Sequence, residues 1–229
     1  MPAFDEASRI EQTLGEAENY LAADSPDSEI IVVDDGSRDG TADIVRAVSA
    51  RTGSIATRLI QHGSNRGKGA AVRSGLLAAT RPVALFSDAD LSTPIGEAPK
   101  LLEPIARNEV DVAFGSRALN RKLIGNRQPW RREQGGRVFN LLVRLSTGLP
   151  FWDTQCGFKA FRLEVFRPIL GVAQSDGFSF DVELLYLAQR AGLRLREIPV
   201  RWNHCEGSKV NFLRDSSRML QEVVALRSR

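Results

Sequence analysis

Asp88-Ala89-Asp90 follows directly on the apolar run Val83 to Ser87. Two carboxylates one residue apart, in an extended turn at a strand's carboxyl end, can share a divalent cation with a bound diphosphate, because hard oxygen ligands and phosphate oxygens both suit Mg2+ or Mn2+. Out of context such a triplet is more often a solvated turn. Its place after a buried strand, with a second acidic strand end at Asp34-Asp35-Gly36-Ser37, favours the metal, since acids gathered in one mouth cost energy unless a cation or donor groups neutralise them. For Asp34 and Asp35 the alternative is a turn and helix cap built through Gly36 and Ser37. Gly63-Ser64-Asn65-Arg66-Gly67-Lys68-Gly69 resembles a phosphate loop but is one residue short, and Gly69 stands where a Ser or Thr hydroxyl would meet magnesium. Close packing of the following helix is the favoured reading, with Arg66 or Lys68 near a phosphate as the other.

The elements that must position these groups follow from hydrophobic periodicity. Glu29-Ile30-Ile31-Val32-Val33-Asp34 is a short β-branched run ended by acid and Gly, the pattern of a strand buried on both faces. Ile10, Leu14, Ala17 and Leu21 recur at helical spacing before it, with a capping-box pattern of Ser8 and Glu11 at their start. A helix through Ile44, Val45 and Val48 follows it, then a strand at Arg58-Leu59-Ile60, a helix from Ala70 to Ala79, the strand Val83 to Ser87, a helix near Leu101 and a strand from Val110 to Phe114. Alternating strands and helices predict an α/β fold, a mostly parallel sheet with helices on both faces and ligands beyond the carboxyl ends of its strands. Farther on, helices are expected around Val138, Leu141, Leu142 and Leu145, through Asp181 to Gln189 and at Leu213, Leu220 and Val224, with a strand from Leu195 to Trp202. One domain, 1–229, with a functional C-terminal half is the economical division, its two parts meeting at 116/117.

Composition narrows the function. The 229 residues are 42% hydrophobic and 26% charged, with 31 Lys and Arg against 28 Asp and Glu, a net charge of +3 that is too even to argue for nucleic acid. Between Arg117 and Arg144, however, eight basic residues face one acid, Glu133. This segment is either a solvated basic face or an anion-facing one. Phe139, Leu141, Leu142, Leu145, Phe151 and Trp152 are interleaved with it, which favours a membrane boundary where cations meet headgroups. Cys156 and Cys205 show neither disulfide nor zinc spacing, so a reducing compartment is the default. No apolar run approaches the about 20 residues that cross a bilayer, and no signal peptide fits the start.

The motifs Pro2-Ala3-Phe4-Asp5-Glu6, Val33-Asp34-Asp35-Gly36-Ser37, Asn65-Arg66-Gly67-Lys68-Gly69, Asp88-Ala89-Asp90 and Gly115-Ser116-Arg117, in this order, resemble the family 2 nucleotide-sugar glycosyltransferases of the A-type, Rossmann-like fold. Asp153-Thr154-Gln155-Cys156-Gly157-Phe158-Lys159, Phe178-Ser179-Phe180-Asp181-Val182-Glu183 and Gly207-Ser208-Lys209-Val210 are similar to the branch acting on polyprenyl phosphates, dolichyl-phosphate glucosyltransferases above all. The resemblance covers nearly the whole chain and implies a nucleotide-sugar-binding half, 1–116, and an acceptor-binding half, 117–229. It implies that Pro2, Phe4, Glu6, Val33 and Asp35 cradle the nucleoside and that Asp88, Ala89 and Asp90 hold the diphosphate and metal. Arg117, one of Arg131 and Arg132, and Lys209 would face phosphates, with His204 or Lys209 beside the departing diphosphate. Three departures stand out: the apolar strand that normally precedes Pro2 is missing, Phe4 replaces a Tyr, and Ser92 stands where mannose-transferring relatives often carry Gln.

The expected reaction is inverting transfer of a hexose, glucose from UDP-glucose, to a polyprenyl phosphate by a metal-dependent enzyme peripheral at the cytoplasmic, inner face of the membrane. An ionised acceptor phosphate needs positive charge to aim it rather than a strong base. A sugar-hydroxyl acceptor would need a base, for which Asp153 is the candidate, although Asp153 fits a structural turn equally. A nucleotide-sugar-binding protein without turnover is the non-enzymatic alternative. Asp181 and Glu183 are read as core residues or as buried acids orienting basic ones, and His62 as an ordinary strand-end residue.

Overall fold

The computed structural model describes residues 1–51, 53, 55–126, 130–205 and 212–226, of which 130–133 and 212–218 are described through their backbone alone. Seven strands, β1 (Pro2–Ala3), β2 (Glu29–Asp34), β3 (Ala56–Gln61), β4 (Val83–Ser87), β5 (Val112–Ser116), β6 (Phe158–Arg162) and β7 (Leu195–Pro199), form two sheets. The first is parallel, in the order β1-β2-β3; the second runs β4-β6-β5-β7. Within the second, β5 and β7 are parallel while β6 is antiparallel to both of its neighbours. The sequence reading missed β6 because Phe-Lys-Ala-Phe-Arg puts a lysine in an otherwise apolar strand. The strand expected before Pro2 is represented by β1 alone, which pairs Pro2 with Val33 and Ala3 with Asp34.

The period of two explains why β2 reads as a continuous apolar run. Ile30 and Val32 pack on one side against Ile10, Leu14 and Ala17 of α1 (Ile10–Asp24) and Val45 and Val48 of α2 (Thr41–Ser49). Ile31 and Val33 pack on the other against Ala71 of α3 (Lys68–Ala78). Burying each of these four side chains contributes about 1.5–3 kcal/mol. The second sheet repeats the plan. Ala113, Phe158 and Ala160 face Leu101 and Ile105 of α4 (Ala98–Ala106). Val112, Phe114 and Phe161 face Phe166 and Leu170 of α6 (Leu163–Val172) and Val182 and Leu185 of α7 (Phe180–Arg190).

The capping box at Ser8 does not form. Helix α1 starts at Ile10, one residue too late for Ser8 to cap it, and the Glu6 carbonyl accepts instead from the Arg9 and Ile10 amides at 3.0 and 2.9 Å. Helix α5 (Trp130–Thr147) divides the expected interfacial set. Phe139 and Val143 are buried, as Phe151 partly is against Phe114, so Phe139 and Phe151 belong to the core. Val138, Leu141, Leu142 and Leu145, at helical spacing, are exposed, Leu145 to 67%. Leu220 and Val224 lie on α8 (Phe212–Ala225), whereas the Leu213 side chain lies outside the described residues.

The glycines before and in α3 serve packing, not phosphate. Gly67 has φ +105°, and a Cβ there or at Gly69 would come within 2.3 Å of the Asp176 or Ser175 carbonyl oxygen respectively. The Asp176 carbonyl accepts from the Gly69 and Ala70 amides at 2.7 and 3.2 Å, occupying donors that a phosphate would need. Replacing a helical Gly by Ala ordinarily stabilises by about 1 kcal/mol. Here the sign reverses: Gly69→Ala is expected to destabilise by about 2 kcal/mol through overpacking, in urea denaturation. A variant as stable as the parent would contradict this packing.

Candidate active site

The two acidic strand ends are linked by the segment that opens α3, whose Arg66 and Gly67 amides bond Asp35 and whose Lys68 pairs with Asp88. Asp34 and Asp35 close β2, and both are buried. Asp34 Oδ1 accepts from the Ser37 amide at 3.3 Å, while Oδ2 is buried with no hydrogen-bond partner among the described residues. Asp35 Oδ1 accepts from His62 Nδ1 at 2.7 Å and the Arg66 amide at 3.0 Å, and Oδ2 from the Gly67 amide at 2.8 Å. Asp35 thus ties the loop before α3 to β2, with His62, at the end of β3, also 3.0 Å from Ser74 Oγ. Val33 is buried beneath α3, so its side chain faces the core. Pro2, Phe4 and Glu6 are half-buried along the neighbouring edge, with Glu6 paired to Arg9 at 2.9 Å. The Asp5 amide donates to Ser37 Oγ at 2.8 Å, which joins that edge to the β2 turn. Beside the turn an open cavity of about 360 Å3 is lined by Gly36, Ser37, Arg38, Gln61, His62 and Gly63. Arg38 and Gln61 were not anticipated, because nothing in the sequence marks Gln61 as the end of β3.

The second acidic group follows β4. Ala89 is buried, and its carbonyl accepts from Thr13 Oγ1 at 2.7 Å, which pins the turn to α1. Asp90 Oδ1 accepts from the Ser92 amide at 2.9 Å. Asp88 Oδ1 faces Lys68 Nζ at 2.7 Å in an ion pair. Desolvation alone would lower the Lys68 pKa, but Asp88, Asp181 and Asp90 more than offset it and hold the ammonium above the ordinary lysine value. Beneath them Lys159, placed on the α7 side of β6 by strand alternation, is wholly buried and donates to Asp181 Oδ1 at 2.6 Å and to the Cys156 carbonyl at 2.5 Å. Burial pushes the Asp181 carboxyl up, against the pull of Lys159 and Lys68. Asp181 is therefore a buried acid orienting a basic residue, and that residue is Lys159. Glu183 accepts from the Gln174 and Ser175 amides.

Asx-like bonds and a mixed pair of side chains leave room for a metal shared with a ligand. No group of three or more His, Cys, Asp or Glu side chains fit to hold an ion occurs among the described residues. Two aspartates with the remaining positions filled by diphosphate oxygens and water is the usual arrangement for Mg2+, and the oxygen donors at Asp88 and Asp90 fit it. The segment carrying His204 lies alongside: the Asn203 amide donates to the Ser92 carbonyl at 2.8 Å, and Cys205 Sγ to the Asp90 carbonyl at 3.5 Å. Lys209 lies outside the described residues, and so do the side chains of Arg131 and Arg132, whose backbone opens α5.

Arg117 is held rather than free. Its Nε and one terminal nitrogen donate to Asp153 Oδ2 and Oδ1 at 2.7 and 2.8 Å, and its amide donates to Oδ2 at 2.9 Å. Glu197 on β7 fixes the same corner, accepting from Ser116 Oγ and from the Trp152 and Asp153 amides. Burial would raise the Asp153 carboxyl, but Arg117 outweighs it and holds the group below the usual carboxylate range. Of the two readings of Asp153, the turn residue fits this geometry; a base does not, because a carboxylate so stabilised binds a proton weakly. Burial pushes the neighbouring Cys156 thiol up to about 11, so it is no nucleophile.

Removing one partner of such a pair leaves the other charge uncompensated. Asp153→Asn should lower stability at pH 7 by about 3 kcal/mol. Because the folded pKa is depressed, the carboxylate's contribution is present above the unfolded value of about 3.9 and is lost as pH falls through the lower folded one. Denaturant unfolding across pH should accordingly show the wild-type advantage intact at neutral pH and shrinking below about pH 4. An advantage that is absent at pH 7 would contradict the pairing.

Residues 1–170 match the family described as Glycosyl transferase family 2. The chain is 32% identical over 239 residues to a dolichyl-phosphate beta-glucosyltransferase of Dictyostelium discoideum, covering 100% of this chain and 73% of that protein. It is 37% identical over 224 residues to the Drosophila melanogaster enzyme of the same name, covering 92% and 68%. Among solved structures, glucosyl-3-phosphoglycerate synthase of Mycobacterium tuberculosis, in complex with Mn2+, UDP-glucose and phosphoglyceric acid, superposes with a TM-score of 0.68 at 20% identity over 99% of this chain and 77% of that one. Mannosyl-3-phosphoglycerate synthase of Rubrobacter xylanophilus gives 0.69 at 20% identity, over 99% and 71%. The α/β architecture is thus the A-type glycosyltransferase fold. With acids at the mouth of that fold and relatives matching along its whole length, this chain belongs to glycosyl transferase family 2.

Proposed function

We propose that the chain transfers glucose from UDP-glucose to a polyprenyl phosphate, with inversion at the anomeric carbon, at the cytoplasmic surface of a membrane. The relatives' names supply the donor sugar and the lipid class. The observation that carries the choice of acceptor is the state of Asp153: a hydroxyl acceptor needs a base, and this carboxylate is buried and engaged with Arg117. A phosphate acceptor is already ionised and needs only aiming, a task for Arg131, Arg132 and Lys209 and for Arg117, whose side chain stays 29% exposed beside its Asp153 fork.

In this reading Pro2, Phe4, Glu6, Val33 and Asp35 border the nucleoside, Val33 and Asp35 chiefly by shaping the β2 turn. Asp88 and Asp90 would hold Mg2+ or Mn2+, which when bound offsets the charge on the departing diphosphate. Ala89 fixes the turn between them, and His204, in the segment whose Asn203 and Cys205 bond Ser92 and Asp90, would donate to a diphosphate oxygen. Support for a membrane surface comes from α5, whose exposed Val138, Leu141, Leu142 and Leu145 lie near exposed Trp152, with the Arg144 guanidinium stacked 4.0 Å from the Trp152 ring. Apolar side chains ringed by arginine suit the headgroup boundary. No described helix is long and apolar enough to cross a membrane.

The test is incubation with labelled UDP-glucose and a polyprenyl phosphate, with and without chelator, followed by product identification. Lipid-linked glucose that needs the metal is expected, with Asp90→Ala reducing turnover about 100-fold or more while the circular dichroism spectrum is unchanged. Asp153→Asn should keep measurable turnover. Donor bound or hydrolysed without lipid product, or glucose moved to a sugar hydroxyl with turnover abolished in Asp153→Asn, would contradict the reading.

A further inference from the structure

Lys68 occupies a position that helix electrostatics disfavours. It is the first residue of α3, where aligned peptide dipoles favour anions and oppose a cation, and the first turn of α3 contains no acid to offset it. Its placement is accounted for by what its tip meets. The side chain is 25% exposed, its ammonium lies 5.6 Å from the Phe86 ring centroid, and Asp88 Oδ1 is 2.7 Å away. The other Asp88 oxygen lies against Gly157, so closely that a Cβ there would come within 1.9 Å of it. Oδ1 is buried beneath Lys68, whereas the Asp88 side chain as a whole is 29% exposed, so a further cation would reach the carboxylate from its open side with Lys68 already offsetting its charge. The second acid of the triplet differs, with Asp90 Oδ1 turned to the Ser92 amide.

We propose that Lys68 is an internal counter-ion that competes electrostatically with the divalent cation for Asp88, so that the metal meets an acid whose charge is already offset instead of a bare one. The inference rests on the metal reading above. It makes Lys68 a positioning residue that sets metal affinity and keeps the mouth compact before donor arrives.

The experiment is titration of Mn2+ into the purified full chain without nucleotide or lipid, reading free Mn2+ by electron paramagnetic resonance. Lys68→Met keeps the apolar stem beside Phe86 and removes the charge. It should bind Mn2+ about tenfold more tightly than wild type, equivalent to about 1.4 kcal/mol, whereas Lys68→Arg stays near wild type. In an Asp88→Asn background the gain from Lys68→Met should vanish. Where Lys68→Met does not fold, as judged by circular dichroism, Lys68→Gln carries the same expectation. A merely structural lysine would leave metal affinity unchanged or weaken it when lost. Either result in the neutral variants overturns the competition, while lipid-linked glucose formation, read separately, still judges the proposed reaction. Absence of Mn2+ binding in wild type and neutral variants alike would overturn the metal reading as well.

Discussion

Gathering carboxylates at the carboxyl ends of strands is costly, and the way that charge is met organises this molecule. Taken out of water, an ionised acid needs donors or a partner cation to remain stable. Asp35 takes two backbone amides and His62, Asp90 takes the Ser92 amide, Asp153 takes the Arg117 fork, and Asp181 takes Lys159. Asp88 takes Lys68. Most of these pairings also fasten one segment to another: the 66–67 loop to β2, the 153 corner to β5, α7 to β6, and the 88 turn to the start of α3. The site and the tertiary structure are therefore held by the same contacts.

That dual use explains why so much of the fold could be read in advance and why particular residues could not. The run Ile30 to Val33 announced a strand buried on both faces, and its two sets of partners on α1, α2 and α3 are what alternation demands. The Asp88-Ala89-Asp90 turn was legible because a buried strand ends immediately before it. Lys159 was not, since a charged residue inside a strand has no signal until its partner is known, and Asp181 lies 22 residues farther on. Asp153 was undecided for the same reason: only the distance to Arg117 separates a base from a buttress. Strand β6 escaped notice because Lys159 interrupts its apolar pattern, and its antiparallel direction is not a property that alternation records.

The apolar residues of α5 show a further limit of pattern. Helical spacing groups Val138, Leu141, Leu142 and Leu145 on one stripe, and such a stripe ordinarily faces a core. Here Phe139 and Val143 on the adjoining face are buried instead, leaving that stripe exposed beside Trp152 and Arg144. An acceptor whose hydrocarbon chain remains in a bilayer while its phosphate is glycosylated requires the enzyme to come to the surface. The exposed face and the arginine-rich segment from Arg117 to Arg144 belong to the same half of the chain, which suits that requirement.

The central claim is that Asp88 and Asp90 jointly receive a metal-bridged diphosphate at this mouth. A crystal structure with Mn2+ and UDP-glucose measures it most directly, through anomalous scattering from manganese. The account predicts a peak within coordination distance of carboxylate oxygens of Asp88 and Asp90, with both phosphates of the donor on its far side. Manganese and nucleotide ordered elsewhere, with Lys68 still seated on Asp88, would contradict it.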